Sequence, residues 1–364
     1  MLELRDLSKV VAGDIHLHPT TLTLQRGSLN VLLGPTLAGK TSLMRLMAGL
    51  DKPSSGQIFF DGKDVTGVRV QDRSVAMVYQ QFINYPALTV YENIASPLRI
   101  RKVERAEIDR QVRRAADLLK LTPYLERTPL NLSGGQQQRT ALARAIVKQA
   151  SLVLLDEPLA NLDYKLREEL REELPKIFAE SGAIFVYATT EPSEALLLGG
   201  NTATLSQGRI TQFGPTIDVY RRPQDLLTAR IFADPPLNTV EAERRGGAFM
   251  IGGGQSIEVP PHLRAVPEGA ITLAFQPHHL SPRPQSSTAS PLTARSMISE
   301  ISGSESFVHL AFAEARWVML THGIYEVEAE QEMTVYLDRR HLLAFDATGR
   351  ALGNSAAAQT GMEA

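Results

Sequence analysis

Residues 34–41 read GPTLAGKT. They follow the apolar run LNVLLG (29–34) and lead into KTSLMRLMAGL (40–50), which reads as a helix. A short apolar strand, a glycine-bearing turn and a helix form the opening unit of a parallel α/β sheet. Gly34 and Gly39 stand at the spacing that lets backbone N–H groups and a helix N-terminus cradle phosphates. The cradle runs through Gly34, Pro35, Thr36, Leu37, Ala38, Gly39, Lys40, Thr41 and Ser42. Lys40 supplies positive charge for the β- and γ-phosphates of a nucleotide such as ATP, and the Thr41 hydroxyl supplies a ligand for Mg²⁺.

Further strands follow the same plan. SVAMVYQ (74–80), SLVLLDEP (151–158) and AIFVYATT (183–190) are short apolar runs with polar tips, and TATLSQGRITQFG (202–214) reads as a hairpin. In RAEIDRQVRRAADLLKL (105–121), Ile108, Val112, Ala115 or Ala116, and Leu119 fall at helical spacing. Parallel sheets carry their chemistry at the strand ends. Asp156 is therefore placed to hold Mg²⁺ through water and Glu157 to polarise an attacking water. Thr190, at the tip of the next strand, is expected to face a ligand.

Composition bounds the rest. The chain has 364 residues, enough for two cores, a net charge of −2 that argues against nucleic acid as main partner, and no cysteine. Its start, MLELRDLSKV, lacks the apolar core of a signal peptide, and no apolar run approaches membrane-spanning length. The expectation is a soluble, cytoplasmic protein. Beyond FADPPLN (232–238) the texture turns to short alternating runs: AFMIGGGQSIEVP, AITLAFQP, SFVHLAFAEARWVML and MTVYLD. These predict a small all-β domain over 236–350, with SPRPQSSTASPLT (281–293) as a loop within it and 351–364 as a disordered tail.

LSGGQQQR (132–139) couples two glycines to a helix start. With the phosphate loop before it and the acidic strand after it, this stretch resembles the signature of ATP-binding-cassette (ABC) ATPases. The resemblance covers residues 1–235. It implies a RecA-like P-loop core with a helical subdomain at about 85–150, and head-to-tail pairing of two cassettes. Ser133, Gly134, Gly135 and Gln136 would then close the partner's ATP site. Gln80 is similar to the glutamine that contacts Mg²⁺ and water, and LANLD (159–163) to the loop that communicates across the dimer. FINYPALTVYENI (82–94) resembles the segment where importers receive a helix of the membrane subunit, so Phe82, Tyr85 and Pro86 become partner contacts. FQPHHLSP resembles an element of the oligonucleotide-fold domains of maltose- and glycerol-phosphate-type importer ATPases, with Gln276 replacing the usual arginine. Such a barrel could instead bind nucleic acid or sugar, but no basic stripe with interleaved aromatics is present.

Three positions depart from that family. Thr190 stands where the family has a histidine that contacts the γ-phosphate; a threonine hydroxyl cannot carry positive charge. Val11 stands near the position of an aromatic that stacks on adenine, although His16 or His18 could reach the base. Leu37 replaces a loop glycine. All three fall on the site that uses this chain's own phosphate loop, whereas LSGGQ is intact.

The resulting expectation is the ATPase subunit of a bacterial importer for a carbohydrate or polyol. The stretch ATTEPSEALLLGG further resembles glycerol importers with two different ATPases. Its partners would be two membrane permease subunits, a second non-identical ATPase and, indirectly, a substrate-binding protein, at the cytoplasmic face of the inner membrane. The alternatives are a regulatory subunit that binds nucleotide without hydrolysis, and a soluble ABC ATPase of DNA repair or translation.

Overall fold

The computed structural model describes residues 1–160 and 162–353, with the backbone alone for 175–181. The chain divides into two compact units, Met1–Val219 and Tyr220–Ala364. The sequence expectation placed the division near 235. Residues 224–226 instead join the second unit, because Leu226 N–H donates to Gly349 O (2.8 Å) and Ala351 N–H to Gln224 O (3.0 Å).

In the first unit a six-stranded sheet has the order Arg209–Pro215, Asn201–Ser206, Leu29–Leu33, Ile184–Thr189, Leu152–Asp156, Val75–Val78. All neighbours are parallel except the hairpin that begins the list. Strands Leu152–Asp156 and Ile184–Thr189 are buried at every residue, which is why they read as unbroken apolar runs rather than alternating ones. A four-stranded antiparallel sheet carries Asp14–Leu24, Leu2–Val11, Ser55–Phe60 and Lys63–Asp64 in that order. One apolar core joins the two sheets through Leu4, Leu22, Ile58, Leu43, Leu154 and Val186.

Helices α1 (Lys40–Ala48), α2 (Val90–Ile100), α3 (Arg105–Leu118), α4 (Gly134–Val147), α5 (Tyr164–Ser181), α6 (Pro192–Leu198) and α7 (Thr216–Arg221) follow in chain order, with α8 (Leu226–Ile231) in the second unit. α2, α3 and α4 make up the helical segment expected at 85–150. α3 buries Ile108, Val112, Ala115 and Ala116, the face that its spacing predicts.

The second unit packs a six-stranded sheet and a five-stranded sheet around one core that includes Phe249, Phe275, Phe312 and Trp317. Two sequence expectations are corrected here. Residues 281–293 are not one loop: strand Ala289–Ile301 takes their last five residues, with Ser290, Leu292 and Ala294 buried in alternation. Pro291 is tolerated because residues 289–294 pair on one side only, with Glu332–Asp338. Ala351–Leu352, assigned to the tail, form a strand paired with Leu343–Phe345. The remainder of that tail, 354–364, lies outside the described residues. Among the described residues no helix is long and apolar enough to cross a membrane.

Candidate functional site

The loop 34–39 connects strand Leu29–Leu33 to α1 and turns through positive φ at Leu37 (67°) and Gly39 (101°). Gly34 is required by close approach: a Cβ there would meet the Leu205 carbonyl oxygen. α1 begins with no side-chain cap and no acidic residue in its first turn. Its N-terminal N–H groups and partial positive charge are thus left for an anion. The Lys40 ammonium is almost fully buried and donates to Gly34 O (2.7 Å) and Pro35 O (3.1 Å). Burial pushes its pKa down, with Glu157 Oε1 3.9 Å away pulling it back. A buried cation above a helix N-terminus, held by neutral carbonyls, is a donor set that suits a phosphate chain.

Strand Leu152–Asp156 brings two carboxylates to the same place. Thr41 Oγ1 donates to Asp156 Oδ2 at 2.7 Å. Glu157 accepts from Gln80 Nε2 at 2.9 Å on Oε2. Burial raises both carboxyls above their ordinary range, Asp156 against the Thr41 hydrogen bond and Glu157 against the pull of Lys40. Hydroxyl, carboxylate and amide oxygens are the hard donors that Mg²⁺ selects. It is held by one or two protein carboxylates plus phosphate oxygens, which fits Thr41, Asp156 and Gln80. Glu157 itself lies at φ 47°, a left-handed conformation that its N–H bond to Ala188 O (3.0 Å) helps hold.

The two strand-tip threonines differ. Thr189 is buried and donates to Glu194 Oε2 (2.6 Å), so it faces the protein. Thr190 is exposed beyond the strand end. Val11 is half exposed next to the hairpin turn at Ala12 and Gly13.

At the signature, Ser133 caps α4 in a reciprocal box: Gln136 N–H donates to Ser133 Oγ (3.4 Å), and Ser133 N–H to Gln136 Oε1 (2.9 Å). Gly134 and Gly135 form the first turn behind it. The aromatic segment after Gln80 is surface rather than core: Tyr85 is 48% exposed, with the Arg144 guanidinium 5.0 Å from its ring centroid. Asn93 fixes it from α2, accepting from Tyr85 N–H (2.8 Å) and donating to Tyr85 O (3.1 Å).

Sequence reading missed Gln138, which is buried and donates from α4 to Pro158 O (2.7 Å), tying the signature helix to the chain after Glu157. It also missed Arg167, Arg171 and Glu194. The i,i+4 spacing of the arginines and the i,i+3 spacing of Glu191 and Glu194 are the sequence signals that could have found them.

A nucleotide-shaped P-loop, an acidic strand end and a glycine-led helix on a parallel sheet define an ABC-type ATPase. The ABC transporter family model matches residues 17–160. The chain is 34% identical over 361 residues to the sn-glycerol-3-phosphate import ATP-binding protein of Cupriavidus pinatubonensis, covering 95% of this chain and 97% of that one. It is 36% identical over 368 residues to the trehalose/maltose import ATP-binding protein of Thermococcus litoralis, covering 96% and 99%. A solved dimer of the ATP-binding cassette MJ0796 with ADP and Pi superposes with a TM-score of 0.54 at 26% identity, over 59% of this chain and 99% of that one. The protein belongs to the ABC importer ATPases of the maltose/glycerol-phosphate type, and it is a P-loop ATP-hydrolysing transport subunit.

Proposed function

We propose that this chain serves an importer for glycerol, its phosphate or a related sugar, and that it works beside a second, non-identical ATPase. The printed functions of the relatives support the substrate class. The pairing rests on one observation: the strand tip that faces the site ends in exposed Thr190, a hydroxyl where the family resemblance calls for an imidazole. Leu37 at φ 67° and Val11 point the same way.

In this reading residues 34–42 hold the phosphates, with Lys40 countering their charge. Thr41 and Asp156, with Gln80, hold Mg²⁺. Bound Mg·ATP supplies the phosphoanhydride whose hydrolysis powers transport. Glu157, raised by burial, takes up proton density from the attacking water. Thr190 donates one hydrogen bond and supplies no charge, so hydrolysis at this site is slow. Ser133, Gly134, Gly135 and Gln136 complete the site built on the other ATPase. Phe82, Tyr85 and Pro86 receive a helix from two permease subunits at the cytoplasmic face of the membrane, which a substrate-binding protein serves from the other side.

The test is turnover of the purified chain alone and after mixing with candidate second ATPases. The expected result for the chain alone is a rate well below the ordinary enzyme median of about 10 s⁻¹, rising on addition of one partner. A fast homodimeric ATPase that Glu157→Gln abolishes would overturn the asymmetric reading. No turnover in any assembly would favour a regulatory subunit.

A further inference from the structure

Behind Thr190 lies a polar network that reaches the catalytic strand end by a second route. Glu194 of α6, 4% exposed, accepts from Tyr187 Oη (3.0 Å), Thr189 Oγ1 (2.6 Å) and Arg171 Nη2 (3.3 Å). Arg171 also reaches Glu191 Oε2 at 3.1 Å and Glu168 Oε1 at 2.5 Å. Arg167, one turn earlier on α5, forks between two elements: Nη1 donates to Glu191 Oε1 (3.1 Å) and Nη2 to Ala160 O (3.1 Å). Ala160 N–H in turn donates to Glu157 O (3.4 Å), and Gln138 Nε2 contacts that same carbonyl (3.4 Å). The hydrogen bonds therefore run from the side chain of the residue after Thr190, through Arg167 and Ala160, to the backbone carbonyl of Glu157 and on to the signature helix α4.

We propose that Arg167 is a positioning residue, whose fork registers the Glu157–Ala160 turn against the strand tip at Thr190. The inference rests on the ATPase reading above. Docking of α5 does not need the fork, because Leu166, Leu170 and Leu174 are buried along its face and Asp163 caps its start. What the guanidinium adds is planar and two-handed: one nitrogen holds a carboxylate, another a backbone carbonyl. A lysine keeps the charge and the stem but offers one ammonium, which cannot serve both acceptors in that geometry. With the tie intact, a ligand contacting Thr190 and one contacting Glu157 meet a single rigid unit. With it cut, the turn after Glu157 moves independently of the tip, and misplacement of this order costs up to about a hundredfold in rate.

The experiment is amide hydrogen exchange on the full chain, with and without Mg²⁺ and a non-hydrolysable ATP analogue, in the wild type and in Arg167→Lys. It is paired with kcat and KM for ATP of the purified chain alone, whose slow turnover comes from sites built on its own Glu157 and Thr190. The wild type should gain protection both at Lys40–Ser42 and at Glu157–Ala160. Arg167→Lys should melt with the wild type and keep the protection at Lys40–Ser42. It should lose protection at Glu157–Ala160, and lower the slow kcat of the purified chain about tenfold or more with KM unchanged. Retained protection at Glu157–Ala160 would overturn the proposal. So would loss at both segments, which is the mark of a general loosening. A wild type with no protection at Lys40–Ser42 would instead overturn the nucleotide reading, and the proposal with it.

Discussion

Thr41 Oγ1 and Asp156 Oδ2 meet at 2.7 Å across 115 residues of sequence, joining the head of α1 to the end of a neighbouring strand. Among the described residues the hydroxyl is the one hydrogen-bond donor that meets the Asp156 carboxylate, and burial nevertheless keeps that carboxyl above its ordinary range. The nucleotide-free site is thus held together at an electrostatic cost.

That cost has a sign. A carboxyl raised by folding binds its proton more tightly folded than unfolded. Its contribution is fully present below the unfolded value and is lost as pH rises through the folded one. Asp156→Asn, which can still accept from Thr41, should therefore raise the melting temperature of the nucleotide-free chain by a few degrees, and the gain should vanish at acid pH. The same change should abolish the extra stabilisation given by Mg²⁺ over ATP alone. Thermal melts with and without Mg·ATP check both, and a lower melting temperature at neutral pH would sink the idea.

The parts legible in sequence are those whose chemistry is local. The phosphate loop, the acidic strand end and the capping box at Ser133 each lie within about ten residues, so spacing alone places them. The i,i+4 arginines and i,i+3 glutamates of the Glu194 network are visible in the string, but nothing in it shows that α5, α6 and a strand bring them together. Thr189 and Thr190 look equivalent in the string, and only the direction of the strand end separates the buried one from the exposed one. The stretch 281–293 misled because its prolines and serines read as a turn. One-sided pairing of its strand removes the penalty that Pro291 would otherwise carry.

Leu37 is 94% exposed and sits at φ 67°, so its side chain contributes little packing and its backbone is strained. The left-handed region costs a side-chain-bearing residue about 1–2 kcal/mol, while a glycine gives back roughly 0.4–1 kcal/mol through its freer unfolded chain. Leu37→Gly should then leave global stability unchanged or slightly higher. Its main effect should be a several-fold gain in ATP affinity, because the loop no longer resists its cradling conformation. Titration with a fluorescent ATP analogue reads this directly. Weaker binding would mean that the leucine contacts nucleotide or partner.

The second unit carries its own pH dependence. His279 stacks on His341 (centroids 4.3 Å apart) and meets His278 edge-on (4.2 Å), and its buried Nδ1 has no hydrogen-bond partner among the described residues. Burial, reinforced by His278 and His341 and opposed by Asp338, pulls its pKa from 6.5 to about 3. A histidine lowered by folding contributes stability that is complete above its unfolded value and is lost as pH falls toward the folded one. The second unit should weaken progressively below about pH 6.5. Trp317, the chain's one tryptophan, is fully buried in that unit, so its fluorescence follows this unit alone. His279→Phe keeps the stack and removes the titration. Its unfolding midpoint should depend less on pH than the wild type's, and parallel profiles would discard the explanation.

In the proposed head-to-tail pair Lys40 and Gly135 would serve different sites, and they should then not be equally important. Gly135 lies in the first turn of α4, in the signature that on this proposal would complete the site on the other ATPase. An aspartate there suits the helix dipole, so Gly135→Asp should fold normally. It should nevertheless block close backbone approach to the γ-phosphate and set a like charge against it. Lys40 lies in the site that ends in Thr190, where little hydrolysis is expected. Removing it deletes its bonds to Gly34 O and Pro35 O, but leaves Thr41 and Asp156 in place. Lys40→Ala should thus weaken closure rather than abolish chemistry. In reconstituted complexes carrying each change in this subunit only, Gly135→Asp should eliminate transport and Lys40→Ala should leave a measurable fraction. Equal and complete loss from both would establish two equivalent sites. Thr190→His sharpens the comparison: if the strand tip is the main defect, it should come close to doubling stimulated turnover. In that background Lys40→Ala should become as damaging as Gly135→Asp, because the site that Lys40 serves would then carry half the chemistry.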